Sequence, residues 1–155
     1  SVEPAPAALR LWVRWRDGTV ADIDMTGAVY RVGAFAPLRD PDAFRHVEVI
    51  DAGCAISWPE TGLDYSSSSL VRLAEEQAPF GAADFVAWQE TLHLSNQEAA
   101  DFLDVSLSTV KNYRSTDGIP KPVRMACRAT LRDPHLLQAH FRPRHPGRPS
   151  KSAEV

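Results

Sequence analysis

The chain has 155 residues, room for one ordinary domain or two small ones, and its 44% hydrophobic and 24% charged residues are the proportions of a soluble globular protein. No apolar run approaches the ~20 residues of a membrane-spanning helix and no apolar leader opens the chain, so a cytoplasmic protein with no membrane partner is expected. The net charge of −3 conceals a polarity: residues 1–105 hold 7 Arg or Lys against 17 Asp or Glu, and residues 106–155 hold 10 against 3.

In chain order, Ser1-Val-Glu-Pro-Ala-Pro-Ala7 reads as a loose arm. Leu9 to Trp15 alternates, with Leu9, Leu11, Val13 and Trp15 on one face and Arg10, Trp12 and Arg14 on the other, the pattern of a half-buried strand. Trp12 beside two arginines suits a partner surface, a core or interface position being the other reading. Asp17-Gly18 signals a two-residue type I′ hairpin turn, and Val20–Met25 returns as the second strand. Gly27 and Gly33 punctuate a less regular passage, and the two prolines of Phe35–Phe44 leave room for a short helical turn at most. Val47–Ile50 and Ala55–Trp58 read as strands around a turn at Asp51–Gly53, and Ser66 to Ser69 offer N-caps for a helix to Gln77 with Leu70, Leu73 and Ala74 inward. The fold expected for residues 8–77 is α+β: a small antiparallel sheet with one or two helices.

Ala78-Pro-Phe-Gly81 is the expected hinge to an all-α domain over residues 82–141. Asp84 reads as the cap of a helix to Leu92 with Phe85, Trp88 and Leu92 inward. Ser95 and Glu98 then form an S-x-x-E capping box, and small Ala100 sits where a second helix must pass close. Leu103 and Val105 bracket a corner. Ser106 caps a helix from Leu107 that turns Val110 and Tyr113 inward and Ser108, Lys111, Asn112 and Arg114 outward. That is the pattern of a helix-turn-helix, whose second helix enters the major groove, and the excess of positive charge begins there. Gly118 is available for a left-handed stop, Pro120–Pro122 opens a helix to Arg132, and Leu136, Leu137 and Phe141 add a final turn. Residues 142–155 read as a basic disordered tail. Within it Pro146-Gly-Arg-Pro149 is similar to the core of an AT-hook, a phosphate-attracted arm and a functionless tail being the other readings.

Three N-terminal strings, Trp15-Arg-Asp-Gly18, Phe35–Phe44 and Trp58-Pro59 with Leu63-Asp64, resemble small bacterial proteins of the domain of unknown function 2442 type. Some of these carry a C-terminal helix-turn-helix of the lambda-repressor-like class, which Leu94–Ala100 and Val110–Arg114 resemble here. The resemblance implies that Asn96 and Gln97 clamp a phosphate. It places Ser106, Leu107, Ser108 and Asn112 over base edges, and Lys111, Arg114 and Ser115 near the backbone. The corner departs from that pattern: Asp104 stands where glycine is common. Asp tolerates a left-handed backbone, but its charge is unfavourable beside DNA.

Chemistry other than binding finds little footing. The five histidines and two cysteines lack metal-site spacing, so no metal or cofactor is expected. Gly27 and Gly33 lack the lysine of a phosphate-binding loop, and the serine run reads as a helix cap, so no catalytic residue is expected. The sequence therefore points to a DNA-binding transcription regulator or antitoxin-like protein acting as a homodimer, with the N-terminal domain dimerising or holding a protein partner. The competing reading is a protein-interaction module that uses the helix-turn-helix as a scaffold without DNA.

Overall fold

The computed structural model describes residues 1–144. The AT-hook-like segment and the rest of the tail from His145 lie outside the described residues. The chain divides into two compact units, Ser1–Ala78 and a second beginning at Pro79.

Unit 1 holds two three-stranded antiparallel sheets. The first runs β1 (Val2–Pro4), β2 (Arg10–Arg14), β3 (Val20–Asp24) with β2 in the centre, and the second runs β4 (Glu48–Ile50), β5 (Ala55–Trp58), β6 (Leu63–Ser66) with β5 in the centre. Alternation along β2 works as read: Leu11 and Val13 are buried, Trp12 and Arg14 exposed. The opening residues are not a loose arm. Val2 pairs with Val13 and Pro4 with Leu11, and the Ser1 ammonium donates to the Arg14 carbonyl at 3.0 Å. β1 has an open β2 edge to complete, a gain that its short, proline-containing sequence does not advertise.

The hairpin between β2 and β3 also differs from the two-residue turn. Trp15 N–H donates to Thr19 and Gly18 N–H to Trp15, and of the two turn residues only Gly18 has positive φ, +88°. This is a three-residue loop, with glycine at the left-handed position and the Asp17 carboxylate accepting from Thr19 N–H and Oγ1. Those two bonds, the hydroxyl first, hold the Asp17 carboxyl below its usual range.

The passage read as irregular is helical: α1 (Thr26–Arg31), then a 3₁₀ segment (Gly33–Arg39) and α2 (Pro41–Arg45). Asp40 caps α2 through Asp42 N–H at 3.0 Å, and Val29, Phe35, Leu38 and Phe44 are buried. Tertiary burial of these four outweighs the glycines and prolines that argued against helix here. Trp58 is fully buried, and its indole N–H donates to the Phe44 carbonyl at 2.8 Å, which satisfies its polar edge. The alternation of β6 is only four residues long, too short to mark a strand in the sequence. Ser66 caps α3 (Ser67–Gln77) through Ser69 N–H, with Leu70 buried. At the far end of α3 the Gln77 carboxamide accepts from Asp24 N–H and donates to Asp24 O, both at 2.8 Å. It thereby occupies backbone groups at the end of edge strand β3. Trp12 is 44% exposed on the face shared with Arg14.

Among the described residues unit 2 is built of helices: α4 (Ala82–Thr91), α5 (Asn96–Leu103), α6 (Leu107–Tyr113), α7 (Lys121–Arg132) and α8 (His135–His140). Their core joins Phe80, Phe85, Trp88, Ala99, Ala100, Val110, Tyr113, Ile119 and Cys127. The Phe85 ring packs edge-on to Tyr113 at 5.5 Å and tilted against Trp88 at 5.2 Å. Trp88 Nε1 donates to Thr130 Oγ1 at 2.9 Å, locking α4 to α7. Burial pushes the Cys127 thiol up to about 12, so the group is inert in the folded state, whereas Cys54 is exposed.

Two helix ends differ from the sequence reading. Asp84 lies in the first turn of α4 rather than before it, and its carboxylate reaches back to Gly81 N–H at 2.8 Å. Gly118 is not left-handed. α6 stops at Arg114, with Ser115 and Thr116 N–H donating to Asn112 O, and the next residue, Asp117, accepts from Ala82 N–H at 3.0 Å. A side chain at Gly81 would meet that Asp117 carboxylate, which would have to turn aside and give up its bond to Ala82 N–H.

Candidate nucleic-acid interface

The α5–α6 pair is set by local capping chemistry. Ser95 Oγ accepts from Glu98 N–H at 3.2 Å, and Glu98 Oε2 accepts from Ser95 N–H at 2.8 Å, the reciprocal box that starts α5. The bond from Ser95 N–H, and after it the Ser95 hydroxyl, hold the Glu98 carboxyl below its usual range. A carboxyl lowered on folding stabilises the fold above its unfolded value of about 4.5, and that contribution is lost as pH falls through the lower folded value. Glu98→Gln keeps the cap acceptor but cannot titrate. Its acid-unfolding profile is therefore expected to be flatter than wild type below about pH 4.5. Superimposable profiles would remove Glu98 from the acid response.

Ala99 and Ala100 are fully buried, which admits α6 close to α5. The corner is left-handed at Asp104 (φ 54°, ψ 42°), and the following N–H, from Val105, donates to Ala100 O at 3.1 Å. The aspartate thus adopts the backbone that glycine would take. Its charge is met as well. Arg144 Nη2 donates to Asp104 Oδ1 at 3.1 Å, and Arg144 N–H donates to Asp101 Oδ2 at 3.2 Å. Residue 144, read as part of an unstructured tail, is docked on the end of α5 because Asp101 is almost wholly buried and calls for a cation.

The nine residues singled out from sequence fall into two groups. Leu107, Ser108, Lys111, Asn112, Arg114 and Ser115 are exposed along or just beyond α6, while Val110 and Tyr113 are buried beneath it. Among the described residues neither the Lys111 nor the Asn112 side chain has a hydrogen-bond partner, so both polar tips are free. The other polar side chains of the nine are already engaged, Arg114 with Gln89. Ser106 Oγ accepts from Thr109 N–H at 3.1 Å and lies within 2.8 Å of the Ser108 and Thr109 hydroxyls, so it works as a cap. Ser115 Oγ donates to Asn112 O at 3.1 Å. Gln97 Nε2 is turned along α5 to Asp101 Oδ1 at 2.8 Å. Asn96 is half-buried, its Oδ1 accepting from Gln89 Nε2 at 3.2 Å.

Gln89, Asp101 and Arg144 were not singled out from sequence. Gln89 had a legible signal: it lies four residues after Phe85 on the inward stripe of α4, a polar residue among apolar ones. Asp101 and Arg144 are 43 residues apart, a separation that no local pattern spans.

Among the described residues no cluster of His, Cys, Asp or Glu is placed to hold a metal ion, and no helix is long and apolar enough to cross a membrane. No curated protein matches the chain. Among solved structures the chain is similar to one from Nitrosomonas europaea named Putative DNA Binding Protein, 27% identical over 84% of each chain, with a TM-score of 0.45. Residues 1–76, which span both sheets and all but the last residue of α3, match the family described as Protein of unknown function (DUF2442), in agreement with the resemblance of the N-terminal strings.

Proposed function

We propose that α5 and α6 form a helix-turn-helix of the lambda-repressor-like class, and that the chain is a sequence-specific DNA-binding regulator. The reading rests on one observation above the others. α6 fixes itself to the core through Val110 and Tyr113 and presents Leu107, Ser108, Lys111 and Asn112 outward, with the last two polar tips unpartnered among the described residues. Unfilled donors on a braced helix are what major-groove recognition requires. Asn112 has the donor and acceptor to pair with adenine N6 and N7, and Leu107, 37% exposed, has the surface to meet a thymine methyl. Lys111 and Arg114 supply phosphate contacts, and Arg144 removes the objection that Asp104 raises. Because Ser106 is committed as a cap, direct readout narrows to Leu107, Ser108 and Asn112.

One such unit reads a short half-site, so the proposed working form is a homodimer on two half-sites about one helical turn apart. Unit 1 would serve as the dimerising or partner-binding module, and the role of the whole is binding rather than catalysis.

The direct test is selection of bound sequences from random duplex, followed by affinities on the selected and a scrambled site. Asn112→Ala is expected to cost ~1–3 kcal/mol on the selected site and little on the scrambled one. Equal losses on both would remove Asn112 from base readout. Absence of duplex binding at low salt would leave α5–α6 as a scaffold for protein contacts.

A further inference from the structure

Gln89 is 2% exposed, yet it spends both ends of its carboxamide on groups at the two ends of the α5–α6 pair. Arg114 Nη1 donates to Gln89 Oε1 at 2.6 Å, and Gln89 Nε2 donates to Asn96 Oδ1 at 3.2 Å and to Leu94 O at 3.4 Å. Donor and acceptor chemistry permits one arrangement. A guanidinium has no acceptor, so the Gln89 end that meets Arg114 must be oxygen. The other end is then the amide nitrogen, which can only donate, so the Asn96 atom facing it must be its oxygen. Among the described residues that leaves the Asn96 NH₂ group, and the four guanidinium N–H groups of Arg114 beyond the one given to Gln89, as spare donors on side chains one carboxamide apart.

The geometry points to Gln89 as a positioning residue that, in the DNA-binding role proposed above, converges Asn96 and Arg114 on the phosphodiester backbone. Arg114 sets the Gln89 amide, the Gln89 amide sets the Asn96 amide, and both outer groups face an anion with donors only. The inference rests on the DNA reading and goes beyond it: a buried residue that never meets DNA governs two that do. It also accounts for a polar group in the apolar stripe of α4, where leucine would pack without needing partners.

The test measures affinity of the full chain for a mixed-sequence duplex across a salt series. Gln89→Leu is expected to weaken binding by roughly tenfold at ~0.1 M salt, equally on selected and scrambled sites, with a log–log salt slope shallower by at most about 0.9, the share of the Arg114 charge, since the neutral Asn96 amide releases no counterion. Adding Arg114→Ala to Gln89→Leu is expected to weaken binding by much less than Arg114→Ala does alone. Wild-type affinity and slope in a folded Gln89→Leu chain would overturn the inference and leave the DNA reading standing. Failure of the wild type itself to bind duplex would overturn both. Should Gln89→Leu not fold, side-chain amide NMR of the wild type decides: titrated DNA must shift the Asn96 NH₂ signals, and signals unmoved at saturation overturn the inference.

Discussion

Replacing Lys111 and Arg114 together by alanine is expected to reduce affinity for any duplex by roughly 10–100-fold near 0.15 M salt and to flatten the salt dependence by about 0.9 per lost phosphate contact. Both side chains are exposed cations on α6, and Lys111 has no hydrogen-bond partner among the described residues, so each is available to displace counterions. The loss should be the same on selected and scrambled sites, because phosphate contacts position the protein without reading sequence. The two substitutions do not act alike on the free protein. Lys111→Ala breaks no hydrogen bond or ion pair among the described residues and should leave the thermal midpoint unchanged. Arg114→Ala strands the buried Gln89 Oε1, at a cost of about 1–3 kcal/mol. Fluorescence anisotropy at two salt concentrations beside a thermal melt separates the effects. An unchanged slope in the double variant, with binding retained, would place the DNA contact elsewhere on the molecule.

Trp88→Ala is expected to cost ~3–5 kcal/mol, the largest stability loss of any single substitution considered for unit 2. The ring is 1% exposed, packs on Phe85 at 5.2 Å and Phe102 at 6.2 Å, and donates to Thr130. A core of this size stabilises a small domain by only ~5–15 kcal/mol in the best case, so the variant leaves unit 2 marginal. Cys127 reports the outcome directly. It belongs to the same core, and its thiol reacts with a disulfide reagent only when that core opens, while exposed Cys54 reacts at once in either protein. Slow modification of Cys127 should accelerate by two orders of magnitude or more in Trp88→Ala, since each 1.4 kcal/mol is a factor of ten in the open population. Trp88→Phe keeps one aromatic ring but loses the Thr130 bond and part of the indole's buried volume, for a smaller cost of about 1–3 kcal/mol. Wild-type kinetics in the alanine variant would show that Trp88 does not brace the unit.

Capping and periodicity were the legible parts of both units. The Ser95–Glu98 box, the Ser66 and Ser106 caps, the burial of Leu11 and Val13 and the outward face of α6 all rest on residues within four positions of one another. Interactions over that range are set by backbone geometry, whatever the rest of the chain does. Where the reading missed, distant groups had intervened. Val2–Pro4 is a strand because β2 has an edge to fill, and Thr26–Arg31 is helical because Val29 finds a core.

Composition, spacing and caps were thus enough to place α5, its corner and α6, and to nominate the face that α6 turns outward. Only the assembled structure decided which nominated side chains are free and which are spent. Ser106, Gln97 and Ser115 are held by neighbours, Asn96 and Arg114 are held by Gln89, and Asp104 is answered by an arginine forty residues later. The reason is physical. A buried polar group must find a partner wherever the fold places one, and that search runs through space rather than along the chain.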